Sequence, residues 1–341
     1  MALRLPRRAK FGIFPTPLQR NSALADALEM GEVWVKRDDL TGFAWGGNKV
    51  RTTEFVVGYA LENSVTDIVV SGGPTSNFAA TMAAAGRASG IAVHQVAYGS
   101  EPEVYPPALC AAVQAGTKPV FTGSSDRSTM EIIAADLVET LREGGRTAMA
   151  VPRGGANSVG AYGFVAAAAE LLEQIERARL QDITIVLPVG SGGSLAGLVA
   201  GRDRLEANWS VIGASVSRPA QALLPAINSK VRETAKALGR SESLDGAPVN
   251  VRLVDCCGEG FGVVTATEDE FCQRVRDRTG LLIDHTYNTK PLHWLSAHGR
   301  ELSGTIIYWF TGGALGALSG TCGTSPSPTR ADRSEGQRSN G

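Results

Sequence analysis

One lysine stands where its amine could act as a nucleophile. Lys49 follows Gly46, Gly47 and Asn48 in the segment KRDDLTGFAWGGNKVR, at the start of a predicted helix. Burial of a lysine at such a place lowers its pKa and makes the neutral amine reactive. A lone lysine in this position is more often an exposed helix-terminal residue, so the interpretation needs support from other parts of the chain.

A glycine-rich segment supplies that support. The residues VGSGGSLAG, from Val189 to Gly197, follow an apolar run and precede a helical pattern. Free backbone N–H groups at a helix start, together with the helix dipole, favour an anion such as phosphate. The lysine of a P-loop is missing, and Leu195 stands where a dinucleotide fingerprint needs its third glycine. This disfavours a nicotinamide dehydrogenase and leaves a single phosphate, whose oxygens a side chain at Gly192 would displace. A reactive lysine, one phosphate and a small-molecule cleft indicate pyridoxal phosphate.

Alternating strands and helices are predicted to position these residues. Apolar runs predict strands at Val33–Val35, Asp67–Val70, Ala92–Val96, Ala148–Val151, Ile183–Val189, Ser210–Val216, Val251–Val254 and Thr305–Phe310. Amphipathic stretches predict helices at Arg51–Glu62, Asn77–Ser89, Met130–Glu143, Gly160–Ala178, Ser194–Leu205, Pro219–Leu238, Glu268–Thr279 and Pro291–Glu301. The alternation predicts an α/β fold with parallel sheets. Four strands end in glycine pairs, after Val70, Pro152, Val189 and Phe310. Because ligands bind at the carboxyl ends of such strands, these loops are expected to converge on one small molecule.

The composition excludes several classes of protein. The chain has 341 residues, enough for about two domains, with 43% hydrophobic and 20% charged residues, which excludes a disordered chain, a coiled coil and a fibrous protein. A net charge of −1 would attract neither nucleic acid nor a membrane surface. No run of about 18 apolar residues and no apolar leader occurs, so we expect a cytoplasmic protein without a membrane segment. Five cysteines without a CxxC motif indicate free thiols, and four scattered histidines indicate no metal site. Residues 319–341 are expected to be a disordered tail.

Seven segments carry a resemblance to a known family. They fall in one order between residues 14 and 318: FPTPLQR, VKRDDLTGFAWGGNKVR, VSGGPTSNFA, VPRGGANSVGAYGF, GSGGSLAGL, LLIDHTYNTKPL and FTGGALGAL. Together they resemble the aminocyclopropane-carboxylate deaminase and D-cysteine desulfhydrase family of tryptophan-synthase-β-like, fold-type II pyridoxal-phosphate enzymes. The resemblance implies two open parallel-sheet domains, a large cofactor-binding one of residues 1–51 and 161–318 and a small substrate-side one of residues 52–160. It also implies a homodimer.

The same resemblance implies roles for individual residues. Lys49 would form the Schiff base with the cofactor, exchange with the substrate amine and move protons at Cα. Asn77 would hydrogen-bond the phenolic oxygen of the cofactor, while Ser76 and the neighbouring N–H groups would hold the substrate carboxylate, the Ser76 hydroxyl also serving as a base or nucleophile. Thr311 would lie near the pyridine nitrogen, and Tyr287 would face the substrate, although Tyr287 taken alone would be a half-buried core residue. The phosphate would be held by Gly190, Ser191, Gly192, Gly193 and Ser194.

Four positions depart from the family pattern. Phe261 stands where the family usually has a second tyrosine, and Asn288 stands where the deaminases carry a glutamate that contacts the pyridine nitrogen. Phe78, at a substrate-binding position, replaces the usual His or Gln. Arg153 replaces an apolar residue and has two interpretations: it binds a second anionic group of the substrate, or it is a solvated loop residue. The first two departures argue against opening of a cyclopropane ring.

The predicted function is that of a pyridoxal-phosphate-dependent lyase or deaminase. The enzyme would deprotonate Cα of a small amino acid and then carry out β-elimination or C–N cleavage, as a D-cysteine desulfhydrase does. One alternative is β-replacement in specialised metabolism, where a second nucleophile captures the intermediate. A second alternative is a non-catalytic homologue that binds the cofactor, which the loss of the second tyrosine favours and the presence of Lys49 opposes.

Overall fold

Two sheets organise the part of the chain that the computed structural model describes, residues 3–239, 249 and 251–318. The six-stranded sheet has the order β1-β2-β10-β7-β8-β9 and the four-stranded sheet the order β5-β4-β3-β6. The strands are β1 Leu18–Arg20, β2 Val33–Arg37, β3 Asp67–Ser71, β4 Ala92–Ala97, β5 Lys118–Phe121, β6 Ala148–Val151, β7 Ile183–Val189, β8 Trp209–Ser215, β9 Arg252–Asp255 and β10 Thr305–Phe310. All neighbouring strands in both sheets run parallel except β1, which pairs antiparallel with β2.

Helices cover the sheets. They are α1 Ser22–Ala27, α2 Lys49–Glu62, α3 Asn77–Ser89, α4 Pro107–Gln114, α5 Thr129–Glu143, α6 Ser158–Ala178, α7 Gly193–Arg204, α8 Ala220–Ala237, α9 Ala266–Thr279, α10 Thr289–His298 and α11 Ala314–Leu318. Within the described residues, no helix is both long and apolar enough to cross a membrane. The α/β class and its parallel sheets confirm the prediction from the sequence, and each predicted strand and helix is present with shifts of a few residues at its ends.

Five short elements were missed by the sequence analysis: β1, β5, α1, α4 and α11. β5 contains Pro119, which lacks the N–H group that a central strand needs, and the strand lies at a sheet edge where this is tolerated. β1 has three residues, too few to show alternation. The four-stranded sheet lies between residues 67 and 151 in the chain, and the six-stranded sheet takes strands from both sides of it. The predicted domain limits stay a prediction, and the predicted tail, 319–341, lies outside the described residues.

Close packing fixes the helix that carries Lys49. A Cβ atom at Gly163 of α6 would lie 2.4 Å from the carbonyl oxygen of Arg51, so α2 and α6 approach each other more closely than any other residue allows. On the other side, a Cβ at Gly197 of α7 would lie 2.2 Å from the Ala161 oxygen. The three helices therefore pack backbone to backbone, and α2 has little freedom to shift.

Buried charges anchor α2 as well. Arg51 donates to both carboxylate oxygens of Asp38, at 2.9 and 2.8 Å, and to both oxygens of Glu170, at 2.9 and 2.8 Å. Burial alone would raise the pKa of Glu170, but the hydrogen bonds and charges of Arg51 and Lys36 lower that pKa to about 2. One turn further, the Glu54 carboxylate accepts from the backbone N–H groups of residues 11 and 12, at 2.7 and 2.8 Å. The first half of α2 is thus tied to the residue that follows β2, to α6 and to the N-terminal segment.

Candidate active site

A cavity of about 730 Å³ lies at the carboxyl ends of strands from both sheets. Its lining includes the glycine pairs that follow β3 and β10 and the glycines that follow β6 and β7: Gly72, Gly73, Gly154, Gly190, Gly192, Gly312 and Gly313. The expected convergence of these loops is therefore confirmed. The volume of the cavity is typical of sites for small molecules.

Lys49 lines this cavity as the first residue of α2. The turn before it is held by a hydrogen bond of 2.9 Å from the Asn48 backbone N–H to the Thr311 oxygen. Gly47 has φ of +54°, and a Cβ atom there would lie 2.2 Å from the same Thr311 oxygen, so this position requires glycine. Burial lowers the pKa of Lys49 to about 8. Roughly a tenth of the amine is then neutral at pH 7, against far less than a hundredth for an exposed lysine.

The predicted phosphate loop follows β7 and leads into α7. Gly190, Ser191, Gly192 and Ser194 line the cavity, while Gly193 lies behind them against Ala156. The Asn48 side chain lies 3.5 Å from the Ser194 hydroxyl, which joins this loop to the turn before Lys49. The N–H groups at the start of a helix of 12 residues can bind a phosphate here.

The reason for the glycine at residue 192 differs from the one inferred from the sequence. Gly192 has φ of +90°, and a Cβ atom there would lie 2.2 Å from Cδ1 of Ile227 on α8. A side chain would therefore collide with α8 rather than enter the space for the phosphate oxygens. Sequence reasoning also missed Lys230 on α8, which lines the cavity beside this loop and donates to the Ala156 oxygen at 2.9 Å. No motif surrounds Lys230 in the sequence.

The start of α3 forms the opposite wall. Ser76 caps this helix, and its hydroxyl accepts from the Ala79 N–H at 3.2 Å. The Oδ1 atom of Asn77 is buried and has no hydrogen-bond partner within the residues that the structure describes. Ser76 and Asn77 both line the cavity, as the resemblance implies. Phe78 contributes to the same wall but is only 1% exposed, and its ring packs in the apolar core of the four-stranded sheet.

Thr311 lines the cavity at the end of β10, whereas Asn288 lies beneath its wall and is fully buried. The Asn288 amide nitrogen donates to Asp284 Oδ2 at 2.6 Å and to the Gly312 oxygen at 2.9 Å, and its oxygen accepts from the Tyr308 hydroxyl at 3.2 Å. Both ends of the amide are therefore engaged within the protein, and the Asn288 oxygen also lies 3.5 Å from the Thr311 hydroxyl. Thr311 is the side chain of this group that reaches the cavity.

Tyr287 lines the cavity, and its backbone is held by Asp284. The Asp284 carboxylate accepts from the N–H groups of Thr286 and Tyr287, at 2.9 and 2.5 Å. Burial raises the pKa of Tyr287 to about 12, and the neighbouring Asp284 charge adds to the effect, so the hydroxyl stays protonated and can donate. The Tyr287 ring meets Phe261 edge to face with ring centroids 5.9 Å apart. Sequence reasoning missed Asp284, although Asp two and three residues before a turn N–H is a known turn signal.

Two arginines line the remaining side of the cavity. Arg153 lines the cavity and forms an ion pair with Glu131, its Nε atom lying 2.7 Å from the Glu131 Oε1 atom. Arg127, which sequence reasoning did not single out, lies over the rings of Tyr98 and Phe261, with its guanidinium carbon 5.0 and 4.7 Å from the ring centroids. Arg127 sits in a polar loop before α5, and nothing in the sequence indicates that this loop reaches the site.

The residues of the cavity fit pyridoxal phosphate. The partly neutral Lys49 amine suits the cofactor aldehyde, the start of α7 with Lys230 beside it suits the phosphate, and the unpartnered Asn77 oxygen shows a buried side-chain amide that a ligand can satisfy. Thr311 lines the same cavity and could offer its hydroxyl to the cofactor ring. Within the described part of the chain, no group of three or more His, Cys, Asp or Glu side chains could hold a metal ion.

Comparisons with known proteins agree with this geometry. The chain is 31% identical over 316 residues to a D-cysteine desulfhydrase of Serratia proteamaculans, covering 88% of this chain and 91% of the relative. It is 29% identical over 303 residues, 88% of this chain and 90% of the relative, to a Pyrococcus abyssi protein provisionally named 1-aminocyclopropane-1-carboxylate deaminase. A crystal structure of an ACC deaminase homologue superposes with a TM-score of 0.83 at 27% identity, covering 91% of this chain and 93% of the other. Residues 9–312 match the family model described as pyridoxal-phosphate dependent enzyme, and the chain belongs to that family.

Proposed function

We propose that this enzyme removes the Cα proton of a small amino acid and then expels a β-substituent or the amino group, as a D-cysteine desulfhydrase-like lyase or deaminase. The observation that carries the proposal is that Lys49, with its lowered pKa, shares one cavity with the start of α3 and the phosphate loop. These are the groups that such a reaction needs: a base, a site for the substrate carboxylate and a site for the cofactor.

The chain's own residues account for binding and proton transfer. Pyridoxal phosphate, when bound, supplies the electron sink for the charge that develops at Cα. The substrate carboxylate would lie at the N–H groups that begin α3, beside Ser76, where the helix dipole favours an anion. The Lys49 amine would take the proton from Cα. Loss of the β-substituent with its bonding electrons would then give an unsaturated amino acid, which water converts to a keto acid and ammonia.

Tyr287 and Phe261 support elimination of a good leaving group. Tyr287 keeps its proton at neutral pH and can donate it to a departing group. Phe261, which contacts Tyr287, has no hydroxyl that could share in proton transfer. Of these two neighbouring rings, only that of Tyr287 carries a hydroxyl for proton transfer. This favours β-substituted alanines over a cyclopropane, whose ring opening demands more of the acid–base groups.

A substrate screen tests the proposal. Protein reconstituted with pyridoxal phosphate is mixed with small D- and L-amino acids, and the visible spectrum, released ammonia and keto acid are followed. We expect turnover of at least one β-substituted alanine, and none with Lys49→Ala. Absence of both spectral change and product with every amino acid would overturn the proposal. Sulfide or halide release without keto acid, when a thiol is added, would instead indicate β-replacement.

We also propose that the enzyme is a cytoplasmic homodimer. The proposal is supported by the family resemblance and by the free thiols of Cys110, Cys256, Cys257 and Cys272. Light scattering coupled to size-exclusion chromatography should give twice the chain mass of 35.7 kDa. A monomer at micromolar concentration would contradict the dimer.

A further inference from the structure

Arg127 presents a fixed positive charge to the substrate side of the cavity. Its guanidinium group lies over the ring of Tyr98 on one side and over that of Phe261 on another, at 5.0 and 4.7 Å. Cation–π contacts of this kind hold the planar group without neutralising its charge. Phe261 also contacts Tyr287, with ring centroids 5.9 Å apart. The ring of Phe261 therefore lies between Arg127 and Tyr287, the tyrosine proposed to face the substrate.

The charge of Arg127 is not balanced by a carboxylate. Within residues 3–239, 249 and 251–318, Arg127 takes part in no ion pair, and its contacts are the two rings. The adjacent Asp126 is turned away, because its carboxylate accepts from the N–H and hydroxyl of Ser128 at 2.9 and 2.8 Å. Arg153, the other arginine on this side, is paired with Glu131. Of these two arginines, Arg127 is thus the one whose charge is left for a ligand.

The phosphate of the cofactor does not account for Arg127. The phosphate loop follows β7 of the six-stranded sheet, and Lys230 of α8 lies beside it. Arg127 instead precedes α5, whose contacts are with the four-stranded sheet, and so enters the cavity from the side of Ser76 and Asn77. A group that met Arg127 would therefore belong to the substrate, beyond the carboxylate proposed to lie at the start of α3.

We propose that Arg127 binds an anionic group at the far end of the substrate side chain, so that the preferred substrates are amino acids with a second carboxylate. The inference rests on the proposed function, since it names the substrate class of the same site. One guanidinium group matches the single charge of a carboxylate and can bind its two oxygens side by side. An arginine without a carboxylate partner also disfavours an uncharged side chain, because that side chain would bury the charge without a partner.

Exchange of the Cα proton tests this choice of substrate without requiring a leaving group. The enzyme, loaded with pyridoxal phosphate, is incubated in D₂O with glutamate, glutamine, aspartate, asparagine or alanine, in both enantiomeric forms. Loss of the Cα–H signal is followed by NMR. For at least one acid–amide pair, we expect kcat/KM for exchange to be about 10-fold or more higher for the acid, since one charge-assisted interaction corresponds to such a factor.

Three variants assign the preference to Arg127. Arg127→Gln should reduce the acid-to-amide ratio to about 1, mainly through KM, and Arg127→Lys should keep part of it. Arg177→Gln makes the same change at an exposed position of α6 and should leave the ratio at the wild-type value. If Arg127→Gln does not fold, as judged by circular dichroism, the Lys variant decides, because a wild-type ratio there would contradict binding by the planar group.

The outcomes separate the two proposals. Exchange without preference for either acid, or an unchanged preference in Arg127→Gln, overturns the role of Arg127 and leaves the proposed function intact. Absence of exchange with every amino acid, alanine included, overturns the proposed function instead. An acid preference lost in Arg127→Gln and kept in Arg177→Gln supports both.

Discussion

Lys49 should destabilise the cofactor-free protein, and its replacement by methionine should make that protein more stable at neutral pH. The structure buries the amine at the first position of α2, close to the positive end of the helix dipole. Its pKa is lowered from the ordinary 10.5 to about 8 by burial. Methionine has similar length and helix propensity but carries no charge, so Lys49→Met removes this cost while retaining most of the packing.

The size of the effect follows from the pKa. A difference between 10.5 and about 8 corresponds to about 3 kcal/mol at 1.36 kcal/mol per pH unit. The side chain faces the cavity and is partly screened by solvent, so we expect about 1–2 kcal/mol. Below pH 8 the lysine is protonated in both the folded and the unfolded state, and the full cost is present. Between about pH 8 and 10.5 only the unfolded state keeps the proton, so the stability of the wild type rises with pH and the advantage of the variant disappears.

Urea unfolding of the cofactor-free proteins, followed by circular dichroism at pH 7 and pH 10, measures this effect. The quantity compared is the difference in free energy of unfolding between variant and wild type, since other groups also titrate over this range. Lys236→Met, at an exposed position of α8, is the matched control and should show no gain at either pH. A variant that is no more stable than wild type at pH 7, or equally more stable at both pH values, would refute the reasoning.

Three further outcomes are expected. The protein loaded with pyridoxal phosphate should be yellow, and borohydride should fix the cofactor on the peptide containing Lys49. Lys49→Ala should fold but show no turnover. Cofactor fixed on another lysine would contradict the assignment. Gly192→Val should weaken cofactor binding at least about 10-fold, because valine rarely adopts φ of +90° and its Cβ would meet Ile227; unchanged affinity in a fluorescence titration would exclude this placement of the loop. Steady-state kcat/KM should be lower for the cyclopropane substrate than for D-cysteine or β-chloroalanine by about 10²-fold or more, since Phe261 supplies no acid–base group; the opposite order would show that the departure has no such effect.

Local signals allowed the main elements and the core of the site to be predicted from the sequence. The glycine pairs after the strands mark turns that any parallel sheet places at one edge, so Lys49, Ser76 and the loop around Gly192 could be assigned to one cavity. Their roles are carried by backbone geometry near each residue. The same local character explains why the ends of β7 and β10 were predicted without error.

The residues that were missed act through contacts across the fold. Arg127 lies at the cavity beside Phe261, which is more than a hundred residues away in the chain, and only the folded structure brings the two together. Lys230 lies on an amphipathic helix, and the pattern of that helix does not show which groups the lysine amine meets. Asn288 has partners on two different segments of the chain. A single sequence contains no record of such pairs. The reason inferred from the sequence for glycine at residue 192 was wrong on the same ground, because Ile227 is a neighbour of Gly192 only in three dimensions.

The anchoring of α2 gives the two parts of the site different supports. The first half of this helix is held by Asp38, Glu170 and the N-terminal segment, and its second half packs in the core of the four-stranded sheet. Lys49 therefore keeps its distance from the phosphate loop, because both are attached to elements around the six-stranded sheet. Any displacement of the four-stranded sheet would instead change the distance from Lys49 to Ser76. The spacing between the proposed base and the phosphate loop is thus set by other contacts than the spacing between that base and the proposed carboxylate site at Ser76.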